Sequence, residues 1–252
     1  MASIHLNAIS VAFPIYDASA RSMKKSLLPG MTGGRIGADE TQVSVVKALE
    51  DVTLSIRHGD RIGLVGHNGA GKTTLLRVLA QIYEPGAGTV KIEGQIAPLF
   101  DISLGMESEA TGYENIFLRG LFLGLSRAQI EERLDDIAAF TELGEFLNLP
   151  IRTYSAGMRM RLAFAVATSI DPDILLMDEG IGAGDASFLE KASKRLSEFT
   201  GRAGIIVLAS HSEALVRTMC RTAVLMERGR VIAVGDTEEI LQTYHQKRLQ
   251  QN

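Results

Sequence analysis

Residues 66–73 read GHNGAGKT, set between the short apolar run IGLV and the apolar stretch TLLRVLA, which is patterned as a helix. They match G-x-x-x-x-G-K-[ST] in the strand-then-helix context that gives this pattern its meaning. Glycines let the backbone turn several amide groups toward one point, and the following helix brings the positive end of its dipole there. A polyphosphate is the chemical group that fits such a cradle. Gly66, His67, Asn68, Gly69, Ala70, Gly71, Lys72, Thr73 and Thr74 are therefore candidate nucleotide-binding residues. Lys72 would act as a point charge on the outer phosphates, and the Thr73 hydroxyl as a magnesium ligand.

The rest of the chain suits a fold that presents such a cradle. From Arg61 onward, short apolar runs (IGLV, DILLM, GIIVLA) alternate with helical stretches. That is the pattern of a largely parallel sheet covered by helices, with the ligand at the carboxyl ends of the strands. One run, residues 174–177, ends in Asp178 and Glu179. Two acids at the tip of a buried strand are costly unless they meet a cation or a polar substrate. Asp178 is expected to reach the magnesium, and Glu179 to polarise the water that attacks the terminal phosphate.

Before Arg61, apolar alternation over residues 4–13 and 49–56 predicts half-buried strands. Between them, residues 17–45 read as a long polar excursion, a short helix and then a mobile loop. From 111 to 147 the pattern turns helical, with Ser126 and Gln129 spaced as a capping box, so 101–170 reads as a helical lobe inserted in the sheet domain. A last helix is expected at 237–244, followed by a polar tail.

Totals narrow the function classes. With 252 residues, 46% of them hydrophobic, the chain can bury a proper core. A formal net charge of -4 offers no broad basic surface, so no nucleic-acid partner is expected. The longest apolar runs are strand-sized, far short of the roughly 20 residues of a spanning helix. The N-terminus has no continuous apolar stretch of the secretory kind. The single cysteine, Cys220, reads as a small core residue.

Residues 154–165, YSAGMRMRLAFA, decide between the many kinds of phosphate-cradle protein. A serine and a glycine at a helix start present hydroxyl, amide and dipole, which makes a second anion site. The stretch resembles the ABC signature usually written LSGGQ, from which it departs at Tyr154, Ala156 and Met158. That resemblance implies that Ser155, Ala156, Gly157 and Met158 meet the ATP held by a second copy of the chain. It extends to Asp185, at the D-loop position where it would communicate across the dimer, and to His211, at the switch position that contacts the γ-phosphate. Either Phe13 or Tyr16 takes the adenine-stacking position. Asp101 stands where the family has a glutamine that contacts magnesium, Gln95 falling too early for it.

The implied fold is an α/β ABC-type P-loop ATPase, with a mainly parallel core sheet, an antiparallel β subdomain and an inserted helical subdomain. One nucleotide-binding domain would span 1–252, its core and β subdomain drawn from 1–100 and 171–252 and its helical subdomain from 101–170. The acid at position 101, the run TGYENI at 111–116 and YSAGM followed by RLAFA resemble the ATPase subunits that export polysaccharides: O-antigen, capsule and teichoic acid. This implies a homodimer closing over two Mg-ATP, and a polytopic membrane permease that handles a lipid-linked glycan. It places the chain peripherally on the cytoplasmic face of the inner membrane. Tyr113, Phe117 and Phe122 are either contacts for the permease or core of the helical lobe, and no carbohydrate-binding domain is expected after the ATPase. Rival readings are an ABC exporter of a drug or lipid, and a soluble ABC ATPase of DNA repair or translation, which would need linked cassettes, a coiled coil or basic arms. A P-loop metabolite kinase would leave the signature and His211 unexplained.

Overall fold

The computed structural model describes residues 1–15, 44–100, 105–178 and 186–251. Tyr16, Asp101, Glu179 and Asp185 lie outside them, as do residues 17–43 of the expected excursion. The strands are Ser3–Ile15 (β1), Ser44–Arg57 (β2), Arg61–Val65 (β3), Ala87–Glu93 (β4), Ile96–Leu99 (β5), Ile174–Asp178 (β6), Ile205–Ala209 (β7), Thr222–Glu227 (β8) and Arg230–Asp236 (β9). The α-helices are Lys72–Leu79 (α1), Gly112–Phe122 (α2), Arg127–Thr141 (α3), Ala156–Ala167 (α4), Ala186–Arg202 (α5), Glu213–Met219 (α6) and Thr237–Gln251 (α7).

The larger sheet has the order β5-β6-β7-β3-β8-β9, parallel throughout except for the antiparallel edge strand β9. Its inner strands read as continuous apolar runs because both faces are covered. In β6, Ile174 and Leu176 point into one core while Leu175 and Met177 point into the other. β7 divides likewise, Ile205 and Val207 against Ile206 and Leu208. One core packs α1 and the antiparallel sheet β2-β1-β4 against the central sheet, and the other packs the helical insert. The fold is thus the expected α/β arrangement of a mainly parallel sheet, an antiparallel sheet and helices between β5 and β6.

The helical insert is joined to the sheet through aromatic side chains. Phe140 of α3 stacks on Phe164 of α4 at 5.9 Å, and both meet Phe188 of α5 edge-on, at 5.6 and 6.2 Å. Helix starts are set by side chains: Ser126 and Gln129 form the expected capping box at α3. A second box, Thr111 with Glu114, opens α2 inside the TGYENI run. There the Thr111 amide and hydroxyl both donate to Glu114, which holds its carboxyl below the usual carboxylate range. Asn115, fully buried, donates to the carbonyls of Glu107, Ala110 and Thr111 and accepts from the Glu107 amide. Gly112 lies against Tyr154: a Cβ at Gly112 would strike the Tyr154 hydroxyl and come within 2.9 Å of the Leu147 backbone.

Two expectations need correction. The last helix runs on to Gln251 instead of ending near 244. Ile240 and Leu241 bury its first turns, and beyond them Lys247 pairs with Glu227 at 3.1 Å while Arg248 lies over the Tyr244 ring. Residues 44 and 45, assigned to the excursion, belong to β2. Among the described residues no helix is long and apolar enough to cross a membrane. Cys220 is buried, and that burial pushes its thiol pKa up to about 12, consistent with a core residue.

Phe164 is 1% exposed at the centre of the aromatic joint. Phe164→Ala is expected to lower the unfolding free energy by about 3–5 kcal/mol, measured by urea denaturation against the parent chain.

Candidate functional site

The chain leaves β3 at Val65 and turns through residues 66–71 into α1. Gly71 is the N-cap, with φ at 103°, and a Cβ there would lie 2.8 Å from the Ala48 carbonyl oxygen, so only glycine fits. No side-chain hydrogen bond caps the helix at Gly71. The first amides of α1 are thereby left for an anion. Lys72 is only 7% exposed, and its ammonium group donates to the Gly66 carbonyl at 2.6 Å and to the His67 carbonyl at 3.2 Å. The loop carbonyls therefore hold the charge at the start of α1.

The sheet order brings the acid to the cradle. β6 stands two places from β3 with β7 between them, and all three run parallel, so their carboxyl ends share one edge. There the Thr73 hydroxyl donates to the Asp178 carboxylate at 3.0 Å. His211 follows the end of β7. Phe13, 37% exposed near the end of β1, pairs with Val46 of β2 and lines the same cleft of about 370 Å³ as Asn68 to Thr74, Asp178 and His211. Thus the structure gathers Phe13, the cradle, Asp178 and His211 at one place. Lys47 and Val46 also line the cleft; sequence reasoning missed them, and only the β1–β2 register places them there.

The residue set fits Mg-ATP. Thr73 and Asp178 present two hard oxygens within hydrogen-bonding distance of each other beside a buried ammonium. The described residues contain no cluster of three His, Cys, Asp or Glu side chains able to hold a metal alone. Two protein oxygens, with phosphate and water completing the shell, is how magnesium is usually bound.

Ser155 to Met158 do not line this cleft. Ser155 is the exposed N-cap of α4 and accepts from the Met158 amide at 3.2 Å. Tyr154 just before it is buried, donates to the Phe146 carbonyl at 2.5 Å, and has its pKa raised by that burial. Of the three aromatic residues with two open readings, Tyr113 and Phe117 are half-buried against the insert's core and Phe122 is exposed. Phe122 borders a second, larger hollow of about 540 Å³, with Gln95, Ile96 and Leu123 on its wall. The Gln95 amide donates to the Leu123 carbonyl at 3.4 Å, linking β5 to the end of α2.

Residues 49–182 match the family model described as ABC transporter. The chain belongs to the ABC transporter family. The O-antigen export system ATP-binding protein RfbE of Yersinia enterocolitica is 45% identical over 92% of this ABC chain and 97% of its own length. The teichoic acids export ATP-binding protein TagH of Listeria innocua is 39% identical over 78% of this chain, which spans 58% of that longer protein. In fold, the ABC chain resembles the ATP-binding cassette MJ0796, solved as a dimer in a post-hydrolysis state with ADP and Pi, with a TM-score of 0.65 at 20% identity over 93% of this chain and 98% of that one.

Replacing Lys72 removes the charge held at the cradle. Lys72→Ala is expected to raise the Kd for ATP by about 10- to 100-fold, the scale of one hydrogen bond to a charged group, read by titration with a fluorescent ATP analogue.

Proposed function

We propose that this chain is the ATP-hydrolysing subunit of an exporter of lipid-linked polysaccharide. The observation that carries the ATPase reading is the contact between Thr73 and Asp178 beside the buried Lys72. The cargo rests on similarity to relatives named for O-antigen and teichoic acid export. A drug or lipid exporter has no observation in its favour.

In this reading Lys72 and the amides at the start of α1 hold the β- and γ-phosphates. Thr73 and Asp178, with Asp101 at the position of the family's magnesium-contacting glutamine, would hold magnesium, whose charge would offset the negative charge that builds up on the phosphates as the bond breaks. Glu179, next to Asp178, orients and deprotonates the attacking water, and His211 holds the γ-phosphate side of the cleft. Phe13 or Tyr16 stacks on the adenine. The helix start at Ser155 to Met158, exposed at Ser155 and Ala156, supplies its serine, amides and helix dipole to the ATP of a second copy, since it is absent from the cleft of its own chain. Two copies therefore close head to tail, with Asp185 at their boundary.

The domain assignment that goes with this is a single nucleotide-binding domain, with core and β subdomain in 1–100 and 171–252 and the helical subdomain in 101–170. The permease, a polytopic membrane protein, docks at the hollow bordered by Phe122, Gln95 and Ile96, which holds the chain peripherally on the cytoplasmic face of the membrane. Leu118, Leu121 and Phe122 are 42%, 54% and 50% exposed, which gives that side of α2 an apolar strip for a protein partner.

Glu179→Gln keeps the shape of the acid and removes its basicity. Turnover should fall by about 10²- to 10⁴-fold while ATP binding persists and a dimer accumulates on light-scattering chromatography. Turnover near the parent level would remove Glu179 from this role. For the cargo, the chain co-expressed with its membrane subunit in proteoliposomes should show ATPase activity that rises on adding lipid-linked glycan. A rise with phospholipid or drug but not with glycan would overturn the polysaccharide assignment.

A further inference from the structure

A cradle of backbone amides and one lysine suits phosphates, so the position of a base must be fixed by something else. Phe13 is the aromatic side chain that lines the cleft among the described residues, and it is 37% exposed. What it does touch is Tyr83. The two rings meet edge to face, with centroids 5.2 Å apart and planes at 68°. Tyr83 is itself fixed from two sides. Its backbone amide donates to the Arg77 carbonyl at 3.2 Å, as the Ile82 amide does at 2.9 Å. Its hydroxyl accepts from the Arg77 guanidinium at 3.1 Å, and the guanidinium carbon lies 5.6 Å from its ring centroid. Arg77 stands in the last turn of α1, where a cation is favoured by the helix dipole, and that helix begins at the phosphate cradle. α1 therefore begins at the phosphate cradle and, at its other end, carries the clamp on Tyr83, which meets the ring that lines the cleft.

We propose that Tyr83, clamped by Arg77, is a positioning residue that fixes the ring of Phe13 as the platform on which the nucleotide base stacks. The proposal rests on the ATPase reading above. Edge-to-face packing leaves a face of the Phe13 ring open to a flat heteroaromatic ligand while removing much of its rotational freedom. A stack reads the π-face of a base and not its edge, so the platform adds affinity for any purine triphosphate and none for a bare triphosphate.

The test is calorimetric titration of the full chain with Mg-ATP, Mg-GTP and Mg-tripolyphosphate. Tyr83→Leu should raise the Kd for both nucleotides about tenfold, the scale of one base–aromatic stack, while tripolyphosphate stays within about twofold. Phe13→Leu should produce the same pattern, and the double variant should bind ATP no more weakly than Phe13→Leu alone, because both act through one ring. Tyr83→Phe, which keeps the ring, should retain most of the affinity. Additive losses in the double variant, an equal loss for tripolyphosphate, or unchanged ATP binding in Tyr83→Leu would each overturn the proposal. Should Tyr83→Leu melt below the assay temperature, Arg77→Gln leaves both rings and is expected to weaken ATP alone by about threefold; equal affinity for ATP in that variant and the parent overturns the proposal as well. Lys72→Ala, which should lose tripolyphosphate and ATP together, separates this from failure of the cradle: if it loses neither, the ATPase reading itself is wrong.

Discussion

The hydrogen bond from the Thr73 hydroxyl to the Asp178 carboxylate is where the fold and the chemistry meet. It joins the start of α1 to the tip of a strand two places away across the sheet. It forms because β6, β7 and β3 are parallel and end at the same level, and they can be parallel because long crossovers cover both of their faces. Every side chain buried along β6 and β7 therefore bears on that separation. A sheet that slid by one residue would exchange the two cores and turn the acid away from the cradle.

The helical insert is held differently. Its contact with the sheet domain is a cluster of rings and cations: Lys191 and Arg195 lie 4.8 and 4.4 Å from the Phe140 centroid, and Arg161 lies 4.7 Å from that of Phe188. Ion pairs between Arg195 and Asp136 and between Lys191 and Glu142 sit at its margin, where solvent screening leaves each worth little. The rings share this core with aliphatic side chains such as Leu99 of β5 and Leu162 of α4, and the charges sit around it. Since α4 carries both Ser155 at its start and Phe164 in the ring cluster, the joint that holds the insert also sets the direction of the helix start at Ser155.

Much of this was legible in the sequence because it is local. The cradle, the strand ending in Asp178 and the Ser126 cap each depend on residues within a few positions of one another, and one pattern reveals each. Phe13 was legible only as an alternative to Tyr16, because its place at the cleft depends on pairing with Val46, far away in the chain. The Arg77–Tyr83–Phe13 chain of contacts was not legible at all, since it joins the end of a helix to a strand in another sheet. The length of α7 was underestimated for a related reason: its last two turns are polar, and tertiary contacts through Lys247 and Arg248 sustain them where apolar periodicity does not.

The Gly112 slot changes how the two stretches TGYENI and YSAGM are to be understood. In sequence they look like independent marks of a subgroup, some forty positions apart. In space they are one fitted pair, in which the phenol oxygen occupies the room a methyl group at 112 would need and is anchored to the Phe146 carbonyl. Evolution cannot then edit either stretch freely. A side chain at 112 needs both a shorter residue at 154 and a shift of the Leu147 backbone, so a cassette that adopts leucine at the head of its signature keeps glycine's slot while leaving a vacancy beside α2 that some other side chain must fill.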